Sequence, residues 1–379
     1  MKYLRIGCFL IACLFASFGT AVAADEPILV GSVFPHTGVA SHIPSHNYEM
    51  VRMAVAAINA SGGLLGREVR LVEYDNESTA AGSLAAARKA LRAGVVAVIG
   101  PSWSSHALAM APELQSAGVP MIGTSTSVME LTLVGDYIFR AGFTDRAQAE
   151  ALARFTVGDL QCRRIAVLSI ASNVYSEGLA VSFAGKLQAL GGRVVVSEPY
   201  LDDANDFAPM LRRVLAAEPD AIFVPGYARD AGLIMRQARA MGYAGMFLGG
   251  DGWSGIEQQA SMKGLRGNAY YVSHWHPDVV SVQSSRFLES LGNRFGERAL
   301  EVADAAGPAA YDAVNLLADA IRRAGTADRV AIRDALLQTR HFEGVTGRMV
   351  YAGRRDPVKP VVVLRLRGNE VSYVRQVMP

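Results

Sequence analysis

Three cysteines in 379 residues are too few to staple this chain. Two of them, Cys8 and Cys13, stand in an N-terminal stretch with the marks of a secretory signal. Lys2 and Arg5 precede an apolar run over residues 6–18, and Ala21-Val22-Ala23 forms an A-x-A cleavage site before Ala24-Asp25-Glu26-Pro27. Removal of residues 1–23 leaves Cys162 alone, so an internal disulfide is excluded and stability has to come from core burial. An excess of charge is missing too. Lys2 and Arg5 leave with the signal, so 37 basic residues minus 2 become 35, against 35 acidic ones. A formally neutral mature chain argues against nucleic acid or an anionic membrane surface as partner. After the signal no apolar run approaches the ~20 residues of a spanning helix. Low-complexity tracts and short repeats are also absent. These absences describe an exported soluble protein. Leu10-Ile11-Ala12-Cys13 fits a lipoprotein cleavage box as well, which would give a form anchored through Cys13.

What the chain does have is length and alternation. At 379 residues it exceeds the usual single-core limit, so two domains are expected. Apolar runs at 28–34, 69–74, 95–99 and 119–122 read as strands. Helical patterns at 48–58, 80–92 and 104–118 separate them, a β-α order that means a parallel sheet with helices on both faces. A second series begins near Thr144. Helices are expected at 148–157, from the turn with Ser172, Asn173 and Tyr175 to a stop at Gly191-Gly192, after a cap at Asp206, and at 229–241, and strands at 164–170, 194–200, 221–224, 246–248 and 270–273. Helices then follow at 284–295, 309–323 and 330–338, and short strands at 348–351, 361–365 and 371–375 close the chain. Two successive α/β series make two similar lobes, and the cleft between them is the default ligand site.

Residues 95–132 dominate this layout, because two consecutive strands end in hydroxyl-rich turns. After the first come Gly100-Pro101-Ser102-Trp103-Ser104-Ser105, and after the second Gly123-Thr124-Ser125-Thr126-Ser127. A βα turn places free N–H groups and a helix dipole at the carboxyl end of a sheet, and added hydroxyls make that a carboxylate or phosphate receptor. The plainer alternative is that Ser104 and Ser105 are helix caps and the rest turn residues. Pro112 is expected to kink or restart the helix that follows.

Enzyme chemistry finds little support. Gly250-Asp251-Gly252-Trp253-Ser254-Gly255 spells a dinucleotide fingerprint, but Tyr271 and Val272 stand where an acidic residue should follow. Ser104-Ser105-His106 lacks a G-x-S-x-G elbow. His42-x-x-x-His46 and His274-x-His276 have metal-ligand character only if their loops converge. Of Trp103, Trp253 and Trp275, Trp103 is the one placed inside a hydroxyl turn. No general base with an orienting partner can be named.

The stretches AVAAINASGGLLGREVRLVEYDNES, AVIGPSWSSHALAMAPELQSAGVPMI, VYSEGLAVSFAGKLQALGG, DAIFVPGYARDAGLIMRQARAMG and FLGGDGW, taken together, closely resemble the branched-chain amino-acid receptors of ABC importers. These are type I periplasmic binding proteins, and the resemblance runs from Pro27 to about Arg375. It implies two doubly wound parallel-sheet lobes joined by three crossovers, near Thr144, His274 and Arg354. Lobe 1 would take residues 24–145 and 275–355, and lobe 2 residues 146–274 and 356–379. It further implies a monomeric, non-enzymatic receptor of the periplasm that needs no cofactor and no metal. Such a receptor delivers a small amino acid, branched-chain or otherwise hydrophobic, to an inner-membrane permease. Relatives of the same fold take an aromatic or aliphatic acid, an amide or a urea instead. Carried over motif by motif, the ligand carboxylate falls to Ser104, Ser125 and Ser127, the ammonium to Asp251, and the far wall to Tyr175 and Tyr227. The residue-level alternative for Asp251 is a cap on a helix starting near Ser254. Ile43 replaces an aromatic common in relatives, and Trp103 stands where they carry a small residue or cysteine. Both departures bear on which side chain is accepted.

Overall fold

The computed structural model describes residues 26–39, 46–303 and 306–379. The proposed signal, its Cys13 alternative, His42 and Ile43 lie outside them. The first sheet is built from β1 (Ile28–Phe34), β2 (Val69–Asp75), β3 (Ala97–Ile99), β4 (Met121–Gly123) and β5 (Ile138–Arg140). Its order is β2-β1-β3-β4-β5, parallel throughout. Between these strands run α1 (Asn47–Ala60), α2 (Ala80–Arg92) and α3 (Ser104–Ser116). Strand β5 had no counterpart in the sequence reading. It is three residues long and ends in a fully buried arginine, neither of which looks like a strand by periodicity.

The second sheet takes β6 (Arg164–Ile170), β7 (Arg193–Tyr200), β8 (Ala221–Val224), β9 (Met246–Gly249), β10 (Asn268–Ser273), β13 (Val361–Arg367) and β14 (Glu370–Val377). Its order is β14-β13-β10-β9-β8-β6-β7. The β6 to β10 portion is parallel, whereas β13 runs antiparallel to β10 and to β14. Helices α4 (Asp145–Gly158), α5 (Val174–Ala189), α6 (Ala208–Ala216) and α7 (Ala228–Ala240) belong to this half. The later helices, α8 (Val282–Phe295), α9 (Ala299–Val302), α10 (Gly307–Ala324) and α11 (Arg329–Leu337), return to the first half, where α10 packs on α1. A small hairpin of β11 (Phe342–Gly344) and β12 (Gly347–Met349) stands apart from both sheets, in place of the strand expected at 348–351.

The chain passes from one half to the other three times: after β5, after β10 and before β13. Charged side chains are buried at these passages. Arg140 is wholly buried, meets Asp356 at 2.6 Å and donates to the carbonyls of Thr126 and Val128. Lys359 donates to the Ala141 carbonyl at 3.0 Å and to Thr346 Oγ1, and burial pulls its ammonium down to about 8. Tyr351 donates to the Arg140 carbonyl at 2.6 Å. The third passage is thereby tied to the first. Gly142 has no alternative here, since a Cβ would lie 2.8 Å from the Thr124 carbonyl oxygen and 3.1 Å from the His274 ring.

Candidate functional site

A cavity of about 140 Å³ opens between the carboxyl ends of the two sheets. A void of roughly 150 Å³ holds benzene, so the space suits something the size of an amino acid and is far too small for a dinucleotide. All seven residues singled out in the sequence line it: Trp103, Ser104, Ser125 and Ser127 from the first half, and Tyr175, Tyr227 and Asp251 from the second.

The two hydroxyl turns form one unit. Thr124 N and Thr126 Oγ1 both donate to the Pro101 carbonyl, at 3.2 and 2.9 Å. Ser102 Oγ lies 3.0 Å from Thr124 Oγ1 and accepts from Asn47 Nδ2 at 2.8 Å. Helix α3 starts at Ser104 itself, preceded by Trp103, and no side chain caps it. The expectation that Ser104 or Ser105 caps this helix is therefore corrected: its first backbone bond runs from Ala107 N to Trp103 O. The first-turn N–H groups have no intrahelical partner, and the positive end of the dipole is directed at the cavity wall. Pro112 sits inside this single helix without restarting it.

The opposite wall is organised by Asp251. No regular helix starts near Ser254. Three short 3₁₀ turns, Asp251–Trp253, Ile256–Gln258 and Ala260–Met262, occupy the segment, because Gly255 takes φ 76° and interrupts any longer helix. The cap reading of Asp251 is overturned by the partners of its carboxylate. Tyr175 donates to Oδ1 at 2.9 Å, and His274 Nε2 lies 3.1 Å from Oδ2. Gly252 N donates to the Tyr175 hydroxyl at 2.9 Å, and Gln148 Oε1 accepts from Asp251 N at 3.2 Å. Gly252 is required for this approach, since a Cβ there would stand 2.6 Å from the Gly226 carbonyl oxygen.

His274 is the partner that sequence reasoning missed. In the sequence it stands out only as half of a His-x-His pair, and its link to Asp251 is made by tertiary structure across 23 residues. Burial keeps its imidazole below the usual range against the pull of Asp251. The neutral ring donates from Nε2, because a carboxylate only accepts. The ring stacks on Phe143 at 3.9 Å. Behind them Gln148 Nε2 donates to Asp145 Oδ1 at 3.0 Å. Burial, joined by the charge of Asp251, raises the Asp145 carboxyl to about 7, with Ser127, Arg140 and Gln148 opposing. Tyr175 is pushed upward by burial and then by Asp251 and Asp145, so it stays a donor.

Trp103 lies near-parallel to Tyr227 at 5.3 Å and 22°, and Tyr227 to Tyr175 at 5.6 Å and 23°. The other two tryptophans are core residues: Trp253 Nε1 donates to the Val224 carbonyl and Trp275 Nε1 to Ser284 Oγ. No cluster of three or more metal-ligating side chains occurs among the described residues. No helix among them is long and apolar enough to cross a membrane.

Two α/β sheets joined by three passages, with the cavity between their carboxyl ends, define the type I periplasmic binding protein fold. The sequence profile of the periplasmic binding protein family matches residues 27–370. The Leu/Ile/Val-binding protein BraC3 of Rhizobium johnstonii is 27% identical over 353 residues, covering 92% of this chain and 93% of its own. Among solved structures, the leucine binding protein LivK of Thermotoga maritima superposes with a TM-score of 0.82 at 30% identity, over 93% of this chain and 99% of the other. The isoleucine complex of the branched-chain amino acid binding protein LivJ of Streptococcus pneumoniae gives 0.85 at 29% identity, over 93% and 100%. The chain belongs to the periplasmic binding protein family, among the branched-chain amino-acid receptors of ABC transporters. Members of this family bind solutes and are not enzymes.

Proposed function

We propose that this protein captures a small amino acid between its two halves and hands the closed form to a membrane permease. Its two lobes are residues 24–145 with 275–355, and 146–274 with 356–379, and residues 1–23 send it to the periplasm. The ligand carboxylate takes the uncapped start of α3 with the hydroxyls of Ser104, Ser125 and Ser127. The ammonium takes Asp251, while Trp103, Tyr175 and Tyr227 enclose the remainder. One observation carries the reading: a helix start without a cap and the Asp251 carboxyl group face a single cavity from opposite sides. The Leu/Ile/Val-binding names of relatives agree with it. A second reading, an acid without an amino group, draws on the fact that both oxygens of Asp251 already accept donors.

Calorimetry on Asp251→Asn separates the two. An amino acid chosen by a thermal-shift screen should lose about 3–5 kcal/mol, the cost of a buried charge left unpaired, which exceeds a hundredfold at roughly 1.4 kcal/mol per decade. Its deaminated counterpart should be nearly unaffected. Equal amino-acid affinity in parent and variant would exclude the ammonium role of Asp251.

A further inference from the structure

Asp145 stands behind the cavity wall, fully buried and outside the lining, yet it is fastened to both ends of the site. Its N–H donates to the Ser127 carbonyl at 2.8 Å, which ties it to the second hydroxyl turn. Its Oδ1 accepts from Gln148 Nε2 at 3.0 Å, and Gln148 Oε1 accepts from Asp251 N at 3.2 Å, which ties it to the acidic turn. Its Oδ2 is closed to solvent and has no hydrogen bond of ordinary length. The backbone of α5 backs onto that oxygen, where a Cβ on Gly178 would stand 3.4 Å away.

An ionised carboxylate is poorly solvated in such a place. The Ser127 hydroxyl is the largest of the influences that favour the charged form, ahead of Arg140 and Gln148, while Asp251 opposes it. The other groups nearby add little. Arg140 at the end of β5 is paired with Asp356, and Lys359 before β13 is committed to the Ala141 carbonyl and Thr346. Tyr175 on α5 and Tyr227 before α7 are held neutral by burial, as is His274 after β10, and Arg146 on the same helix is exposed.

Resting on the carboxylate half of the proposed reading, Ser127 then has one hydroxyl proton and two acceptors that compete for it. A ligand carboxylate in the hydroxyl turn draws that proton, and Asp145 loses its best support as an anion. A protonated Asp145 reverses the bond, donating to Ser127 Oγ while Ser127 donates to the ligand. The two charges of an amino acid act on Asp145 in opposite senses, so the shared hydroxyl sets the sign.

We propose that Asp145 is a positioning residue for the ligand carboxylate, releasing the Ser127 hydroxyl to it by taking up a proton from solution as ligand enters. Without ligand the Asp145 carboxyl titrates near 7. With ligand it titrates higher, so the binding it supports is complete below the first value and is lost as pH climbs through the second. Titration calorimetry of the mature protein with leucine, at about pH 7.5 in phosphate and again in Tris, counts the protons, because the buffer that supplies them adds its own heat of ionisation. A value of about 8 in the complex means uptake of about half a proton at that pH, and an affinity about sixfold weaker at about pH 8.5 than at about pH 6.5. Asp145→Asn should show neither the uptake nor the pH dependence. Ser127→Ala, which keeps the carboxyl but not the shared proton, should take up less than the parent. Equal heats in the two buffers for the parent, or release of protons, overturn the inference whatever the variants do and leave the amino-acid reading intact. Uptake undiminished in Asp145→Asn belongs to another group and overturns it too. Isocaproate, which is leucine without its amino group, keeps the two readings apart. If it binds and leucine does not, the amino-acid reading fails, and the same pair of buffers with isocaproate decides the role of Asp145. Binding of neither removes the carboxylate site and the inference with it.

Discussion

Ser104 and Ser127 serve the same end of the cavity but are held differently, and their mutants should differ accordingly. The Ser104 hydroxyl caps nothing, so Ser104→Ala should leave α3 intact while removing the donor proposed for the ligand carboxylate. The expected loss in calorimetry is about 1.5–3 kcal/mol, the range for a hydrogen bond to a charged group. Unchanged affinity would mean that the turn binds through its backbone alone. The Ser127 hydroxyl also counters the burial of Asp145, so Ser127→Ala combines a binding loss with a perturbed interior and is the less clean test. Trp103 stands between His106, at 5.1 Å, and Tyr227, at 5.3 Å. His106 is pulled by burial to about 4 and so gives the indole a neutral neighbour. A stacked pair is worth about 0.5–1.5 kcal/mol. Trp103→Ala should therefore cost glycine or alanine at most that much, while reordering the affinities of larger ligands in a competition assay. A uniform loss across the panel would mark the ring as structural.

Helix α4 shows how an element's start can carry more than its own stability. Thr144 caps it by accepting from Ala147 N at 3.2 Å, Asp145 N donates to the Ser127 carbonyl at 2.8 Å, and Gln148 reaches Asp251 N. One helical turn thus links a hydroxyl turn of the first lobe to the acidic turn of the second. Asp145 titrates near 7 in the fold against about 4 in an unfolded chain. A carboxyl raised by folding is protonated in the native state first, so the stability it lends is complete below about pH 4 and is lost as pH rises toward 7. Thermal unfolding from pH 4 to 8 should show Asp145→Asn losing less stability than the parent across that window. Parallel curves would place the Asp145 carboxyl at its ordinary value. None of this linkage was legible in the sequence, where the helix was expected to begin near Gln148 and Asp145 drew no notice. The hydroxyl turns, by contrast, were legible because their residues are contiguous. So were the strands that end in them, whereas β5 was not, because its buried Arg140 defeats any hydrophobic pattern. The glycines around Asp251 pointed to a turn, but not to 3₁₀ geometry, nor to the histidine that the next passage brings against its carboxylate.

At the scale of the whole molecule, buried charge sits where the two halves join. Arg140 with Asp356, Lys359 against the Ala141 carbonyl, and His274 with Asp251 all lie on or beside the three passages. Each is fastened to the backbone of a neighbouring passage, or to the acidic turn beside it. Bending at such a joint is favoured only as a concerted movement, because separating one buried charge from its partner costs several kcal/mol. The cavity tells the complementary half. Its polar groups come from both lobes, so a ligand that reaches Ser104 and Asp251 together binds the closed arrangement and has little to hold in an open one. A ligand shifts such an equilibrium only by its differential affinity for the two states, and contacts to both sides of the cavity are the means of supplying it. Small-angle scattering should therefore show a smaller radius of gyration once saturating ligand is added. Asp251→Asn should need far more ligand to reach the same compaction, since it removes the hold on the ammonium proposed for the second lobe. A radius unchanged at saturation would mean that the lobes are held together by their own contacts, with Trp103 against Tyr227 the first to test, and that capture proceeds without closure.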